Sequence, residues 1–223
     1  MTAARGIGVL GGSFDPVHLG HLRAAEEVRE GQGLVEVRLV PAATPPHKDP
    51  AALAAAHHRL RMLELALEGS AGLRAARLEL DRPGPSYTID TLRAFRAEVG
   101  SARLVFAVGW DAFRELGTWK DYADIFATCD VVVVTRPPGP AQLTLDDIPV
   151  AARKAFCYDP SSESFRHASG YVLSLQRITA LDISAAAIRA RVAAGRSIRF
   201  LVPPAVEAYI QAHQLYRPGD ATR

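Results

Sequence analysis

GIGVLGGSFDPVHLGH, residues 6–21, is the stretch that decides the fold. It opens with a short apolar run at residues 6–10, which favours a β-strand, and the run ends at Gly11 and Gly12. Residues 19–30 then space their apolar side chains at helical intervals. The stretch therefore predicts a strand, a glycine loop and a helix, in that order.

The loop between this strand and this helix favours an anionic ligand. Its glycines let the backbone approach an anion closely, and the N–H groups at the helix start favour phosphate. His18 and His21 lie three residues apart on one helix face, which Gly20 leaves open. Two imidazoles there can donate hydrogen bonds to oxygens that gain charge during phosphoryl transfer. The pattern predicts a nucleotide site; a tight turn with two incidental histidines is the alternative.

The rest of the chain continues this alternation of strands and helices. Strands are predicted at residues 35–40, 73–80, 103–108, 131–135 and 171–175, and helices at residues 58–67, 89–99, 184–194 and 204–213. Such alternation predicts an α/β fold with a doubly wound parallel sheet, whose ligands lie beyond the carboxyl ends of the strands. The Pro- and Gly-rich residues 136–147 predict a surface excursion. We expect a single domain over residues 1–223, in which residues 183–216 form a small C-terminal helical part.

Residues 11–21 (GGSFDPVHLGH) resemble the HxGH signature of the nucleotidyltransferase superfamily. Further motifs resemble those of the nicotinate mononucleotide adenylyltransferases: PPHK at residues 45–48, SYTIDT at 86–91, GWD at 109–111, DISAAAIR at 182–189 and VPPAVEAYIQAHQLY at 202–216. The resemblance covers residues 6–216. It implies a Rossmann-like nucleotidyltransferase fold and the transfer of AMP from ATP to nicotinate mononucleotide in NAD biosynthesis, with release of pyrophosphate.

The resemblance also implies which residues bind ATP. Catalytic roles are expected for His18, His21, Lys48 and Arg189, which would stabilise charge on the triphosphate. Ala185 and Ala186 stand where the family usually has Ser or Thr, so phosphate contacts there would rest on a serine, backbone N–H groups and an arginine. The expected ATP-binding set is Gly11, Gly12, Ser13, Phe14, His18, Gly20, His21, Gly109, Asp111, Ile183, Ser184 and Arg189.

A second set of residues is expected to bind the acceptor. The N–H groups and hydroxyls of a helix start near Tyr87 and Thr88 can bind a carboxylate, which separates nicotinate from nicotinamide. The resemblance assigns the pyridine ring to Trp119 and a ribose hydroxyl to Asp111. Simple helix capping and ordinary tryptophan packing are the alternatives. The expected acceptor-binding set is His47, Lys48, Tyr87, Thr88, Trp119 and Arg136.

Composition narrows the function classes further. The net charge of +2, from 26 basic and 24 acidic residues, gives no field of the kind that dominates nonspecific nucleic-acid binding. Two cysteines cannot form a disulfide framework. No apolar run is long enough to span a membrane and no export signal is present, so we expect a cytoplasmic protein.

The nucleotide chemistry also suggests a cofactor and two alternative functions. Mg²⁺ is expected with ATP, held by its oxygens and by water, because no carboxylate cluster fixes a metal position. One rival is another HxGH nucleotidyltransferase, for example one acting on phosphopantetheine. The other is a non-catalytic nucleotide-binding regulator. The sequence leaves open whether the chain forms a homo-oligomer.

Overall fold

The computed structural model describes residues 6–44 and 53–218. Its strands within those residues are β1 (Ile7–Gly12), β2 (Glu36–Pro41), β3 (Leu73–Ala75), β4 (Leu104–Gly109), β5 (Asp130–Thr135), β6 (Phe156–Asp159), β7 (Ser164–His167) and β8 (Val172–Arg177). Its helices are α1 (Leu19–Gly31), α2 (Ala56–Leu67), α3 (Thr88–Val99), α4 (Trp110–Arg114), α5 (Tyr122–Thr128), α6 (Ala185–Ala193) and α7 (Pro204–Ala212).

The strands form one sheet in the order β3-β2-β1-β4-β5-β8-β7-β6. All neighbours from β3 to β8 pair in parallel, whereas β7 runs antiparallel to both β8 and β6. The strand order reverses between β1 and β4, so the loops after these two strands open at the same edge of the sheet. A doubly wound sheet binds its ligand at this switch point. The predicted α/β class and parallel sheet are confirmed.

Helices cover both faces of the sheet. Val131 and Val133 of β5 pack into the core that contains α3 and α5, whereas Val132 and Val134 face the core beneath α1, α2, α6 and α7. A strand covered on both faces needs no polar alternation, which explains its run of four valines. No helix in the described ranges is long and apolar enough to cross a membrane. The expectation of one domain over residues 1–223 stays a prediction.

Three local expectations differ from the structure. The strand predicted at residues 73–80 ends at Ala75, because the chain then turns, with the Leu80 amide donating to the Arg77 carbonyl at 2.7 Å. The hairpin of β6 and β7 was not predicted, since its strands have only four residues each. Helices α4 and α5 were also missed, because five and seven residues are too few for helical periodicity to emerge.

Candidate active site

The signature loop brings its two histidines into direct contact. β1 ends at Gly12, and α1 begins at Leu19 with His18 as its N-cap residue in extended backbone conformation. The His18 amide donates to Nδ1 of His21 at 3.3 Å, and the two rings stack with centroids 3.6 Å apart. The i, i+3 spacing therefore places both imidazoles together at the start of α1.

Because Gly20 has no side chain, the His18 ring can lie close to its backbone. A Cβ atom at this position would lie 3.0 Å from Nδ1 of His18 and 3.9 Å from Cβ of Ile183. The first contact is tighter than ordinary van der Waals packing, so a larger residue would displace the imidazole. The second distance is an ordinary van der Waals contact, and it shows that Ile183, just before α6, lies beside the start of α1.

His18 is uncharged near neutral pH. Its side chain lies in the interior, at 6% exposure, and burial, followed by the charge of Arg136, lowers its pKa to about 4. Its Nδ1 atom is buried without a hydrogen-bond partner in the described part of the chain. A neutral imidazole has one N–H donor and one acceptor nitrogen, so His18 can orient an oxygen without adding a full positive charge.

Arg189 links α6 to the signature loop. Its Nη1 atom donates to the carbonyl oxygen of Asp15 at 2.7 Å and lies 3.5 Å from Oδ2 of the same residue. Ser184 is the N-cap residue of α6, and its hydroxyl accepts from the Ala187 amide at 3.2 Å. The capping serine therefore already accepts one helix N–H, while the arginine projects from the middle of α6 toward the loop.

A cavity of about 340 Å³ lies between the carboxyl ends of β1 and β4. Gly11, Gly12, Ser13 and Gly109 form one side of it, and Tyr87, Thr88 and Trp119 line another part. The Trp119 ring lies 6.4 Å from the Phe106 ring, and α3 starts at Thr88 with Tyr87 as its N-cap residue and no side-chain cap. The cavity thus combines an apolar wall with the N–H groups of a helix start.

Four expected site residues are not tested by the lining of this cavity. Arg136, expected to bind the acceptor, lies near His18 and donates to the Leu181 carbonyl rather than lining the cavity, and its acceptor role stays a prediction. Asp111 lies exposed in the first turn of α4, and its expected contact with a ribose hydroxyl stays a prediction. His47 and Lys48 lie outside the described residues, so their roles stay predictions.

Arg59 was not predicted as a site residue, although its side chain connects two loops beside the site. This side chain of α2 is only 1% exposed, and its guanidinium donates to the carbonyls of Ser13 at 2.9 Å, Ala42 at 2.7 Å and Ala54 at 2.9 Å. It therefore joins the signature loop to the loop after β2. No local signal distinguishes it, because the two arginines of α2 both predict solvent exposure.

Glu79 and Lys120 line the cavity and were also not predicted as site residues. Oε1 of Glu79 accepts from the Thr91 hydroxyl at 2.6 Å, which joins the segment after β3 to the first turn of α3. Nζ of Lys120 lies 4.7 Å from the centre of the Tyr87 ring and 3.0 Å from Oδ2 of Asp90. Its position directly after Trp119 is the signal that could have identified the lysine.

Comparisons with known proteins identify the family of this chain. The cytidylyltransferase-like family model matches residues 9–191. A protein of Pelobacter propionicus described as a probable nicotinate-nucleotide adenylyltransferase is 44% identical over 210 residues, which cover 94% of this chain and 97% of that protein. The chain belongs to the nicotinate-nucleotide adenylyltransferase family. A family member from Pseudomonas putida, with the same description, is 46% identical over 218 residues and 96% of both chains.

The solved structures show the fold of this family. Plasmodium falciparum nicotinic acid mononucleotide adenylyltransferase, complexed with NaAD, superimposes with a TM-score of 0.70 at 18% identity, covering 95% of this chain and 97% of that one. A putative nicotinate-nucleotide adenylyltransferase from Vibrio parahaemolyticus gives a TM-score of 0.65 at 15% identity, with 96% of both chains covered. The Rossmann-like nucleotidyltransferase fold expected from the sequence is confirmed.

Proposed function

We propose that this chain is an enzyme that transfers AMP from ATP to nicotinate mononucleotide, forming nicotinate adenine dinucleotide and pyrophosphate. A phosphate oxygen of the acceptor attacks the α-phosphorus of ATP in line. The bond from the α-phosphorus to the bridging oxygen breaks, and pyrophosphate leaves with that oxygen. The acceptor phosphate is already anionic, so no covalent enzyme intermediate is required, and catalysis depends on positioning and charge stabilisation.

The ATP side of this reaction is assigned to the signature loop and α6. His18 and His21 donate hydrogen bonds to phosphate oxygens as negative charge develops, and Arg189 neutralises part of the triphosphate. Lys48 adds a second positive charge, and Asp111 binds a ribose hydroxyl. The glycines and the first-turn N–H groups of α1 and α6 approach the phosphates.

The acceptor side is assigned to the cavity. Trp119 stacks on the pyridine ring, and the N–H groups near Tyr87 and Thr88 bind the nicotinate carboxylate. The observation that carries the proposal is the start of α3, which lacks a side-chain cap and lies in an apolar cavity beside the signature loop. An anionic aromatic ring is the ligand that such a site complements.

Mg²⁺ is proposed as the ion that accompanies ATP. Among the described residues, no group of three or more His, Cys, Asp or Glu side chains could hold a metal ion. Mg²⁺ retains several waters and often binds through substrate phosphates, so we assign it to the triphosphate rather than to a protein cage. Its chemistry there is to neutralise phosphate charge.

Pyrophosphate release with ATP and a panel of acceptors tests the proposal. The panel consists of nicotinate mononucleotide, nicotinamide mononucleotide and phosphopantetheine, each with its product identified by mass. We expect the greatest catalytic efficiency with nicotinate mononucleotide. A clear preference for phosphopantetheine would assign the chain to another HxGH reaction. Binding of ATP without turnover of any acceptor would indicate a regulator.

A further inference from the structure

A tyrosine near the C-terminal end of the described chain reaches into the signature loop. Tyr216 follows α7 and is 2% exposed, and its hydroxyl donates to Oδ1 of Asp15 at 2.7 Å. The Ala54 amide donates to the same oxygen at 3.3 Å. Asp15 itself is 1% exposed and lies only three residues before His18. A contact between residues 201 positions apart therefore fixes the side chain in the middle of the loop.

The hydroxyl of Tyr216 acts as a fixed donor. Burial, followed by the negative charge of Asp15, raises the pKa of Tyr216 far above its ordinary value. The phenol consequently keeps its proton throughout the working pH range. A buried carboxylate is costly unless it is paired and hydrogen-bonded, so this donor and Arg189 together compensate the charge of Asp15.

The other oxygen of Asp15 faces Arg189. Oδ2 has no hydrogen-bond partner in the described part of the chain, but it lies 3.5 Å from Nη1 of Arg189, which also donates to the Asp15 backbone. Both contacts use the same nitrogen. The guanidinium side chain is 31% exposed, and within residues 6–44 and 53–218 its Nε and Nη2 atoms carry no hydrogen bond. Those donors are left for a ligand.

We infer that Tyr216 and Asp15 are positioning residues that hold Arg189 in place for the triphosphate of ATP. Tyr216 orients the carboxylate through Oδ1, and the carboxylate orients the guanidinium through Oδ2. The inference rests on the proposed function, since it assigns the arginine to the triphosphate. It gives the residues after α7 a role beyond packing in the core.

Tyr216→Phe removes one hydroxyl and tests the inference, and Tyr209→Phe is its matched control. Tyr209 lies on α7, and its hydroxyl is 2.8 Å from Nδ1 of His58, apart from the signature loop. In Tyr216→Phe the arginine loses its fixed position, so kcat/KM for ATP should fall about tenfold while KM for the acceptor stays unchanged. Small displacements of a charged group that positions a substrate lower the reaction rate. The Tyr209→Phe enzyme should match the wild type.

A double-mutant cycle separates positioning from general destabilisation. In an Arg189→Ala background, Tyr216→Phe should change kcat/KM for ATP by less than about twofold, since the group that it positions is absent. Asp15→Asn provides a second variant, because it retains an acceptor for Tyr216 but loses the charge that faces Arg189. It should reproduce the loss for ATP, and it decides the question if Tyr216→Phe does not fold.

The outcomes are distinct. Wild-type efficiency in Tyr216→Phe, or an equal loss with and without Arg189, would overturn the inference while the proposed reaction stands. Wild-type efficiency in Asp15→Asn would also overturn it. A wild-type chain that makes no nicotinate adenine dinucleotide would overturn the proposed function itself, and the inference with it.

Discussion

The two sides of the signature loop, which we assign to ATP and to the acceptor, are constructed differently. On the ATP side, His18 and His21 stack on each other and Arg189 is held by Asp15, so charged and polar groups are placed by other side chains. On the acceptor side, the cavity of about 340 Å³ has aliphatic and aromatic walls, and the start of α3 provides its backbone donors. The first side is a cluster of side chains in mutual contact, and the second is a cavity with a defined shape.

We expect this difference to separate catalysis from selectivity. Side chains placed by mutual contacts can meet charge as it develops on phosphate without reorganising, which is the requirement for rate. A cavity with fixed backbone donors instead selects a ligand by shape and by its pattern of acceptors. Substitutions on the ATP side should therefore change turnover, and those in the cavity should change the choice of acceptor.

The largest effect is expected from the histidines. His18→Ala and His21→Ala should each reduce turnover by about 10²-fold or more, the scale seen when one preorganised donor to a developing charge is removed, with smaller changes in binding. Steady-state kinetics with ATP and nicotinate mononucleotide measures both quantities. His57→Ala is the control, because His57 is an exposed histidine that contacts the His58 ring rather than the signature loop. Near-wild-type turnover in both variants would remove the histidines from the mechanism.

Discrimination between nicotinate and nicotinamide should depend on the backbone at the start of α3. N–H groups satisfy a carboxylate through both oxygens, whereas a carboxamide must turn its NH₂ group toward one donor. We expect a preference of roughly 10²-fold in kcat/KM for nicotinate mononucleotide in the wild type.

Thr88→Pro tests which group produces that preference. Thr88 is the first residue of α3, where proline is tolerated and removes an N–H that has no partner within the helix. Tyr87 has φ −90° and ψ 128°, an extended conformation that a following proline favours. The preference should fall severely in Thr88→Pro and only modestly in Thr88→Ala, as measured by kcat/KM for the two acceptors. Equal use of both acceptors by the wild type would contradict the assignment.

A smaller effect is expected from the aromatic wall. Trp119→Ala should raise KM for the acceptor about tenfold and leave KM for ATP nearly unchanged, because stacking contributes roughly 0.5–1.5 kcal/mol beyond area burial. Trp110→Ala is the matched control: Trp110 packs with its ring centre 6.3 Å from that of Phe113 and does not line the cavity. Equal increases of KM for both substrates in Trp119→Ala would place the ring outside the acceptor site.

Local sequence patterns predicted the signature loop but not the long-range contacts that hold it. The signature loop could be located because strand, glycines and helix follow one another within residues 6–21. Arg59 could not be identified, since its burial depends on carbonyl groups from the signature loop and from both ends of the connection between β2 and α2, which only the folded chain brings together. The contact between Tyr216 and Asp15 joins the two ends of the chain, which no periodicity encodes.

The placement of Arg136 illustrates the same limit. Arg136 directly follows β5, so sequence order places it at the carboxyl edge of the sheet. Its contact with the Leu181 carbonyl and its proximity to His18 depend on how the segment before α6 crosses that edge. Sequence order could not indicate which carbonyl the guanidinium contacts.

The smallest expected effect concerns the start of α6, where this chain lacks two hydroxyls. Ala185 and Ala186 are its first two residues, and the hydroxyl of Ser184 accepts from a helix amide. If the triphosphate lies at this helix start, Ala185→Ser and Ala186→Ser should each lower KM for ATP about threefold, because one added hydrogen bond contributes roughly 0.5–1.5 kcal/mol. Turnover and KM for the acceptor should stay the same. Ala193→Ser, an exposed position at the far end of α6, repeats the exchange away from the loop and should leave KM for ATP unchanged. An unchanged or higher KM for ATP in both of the first two variants would mean that α6 approaches ATP through Arg189 alone.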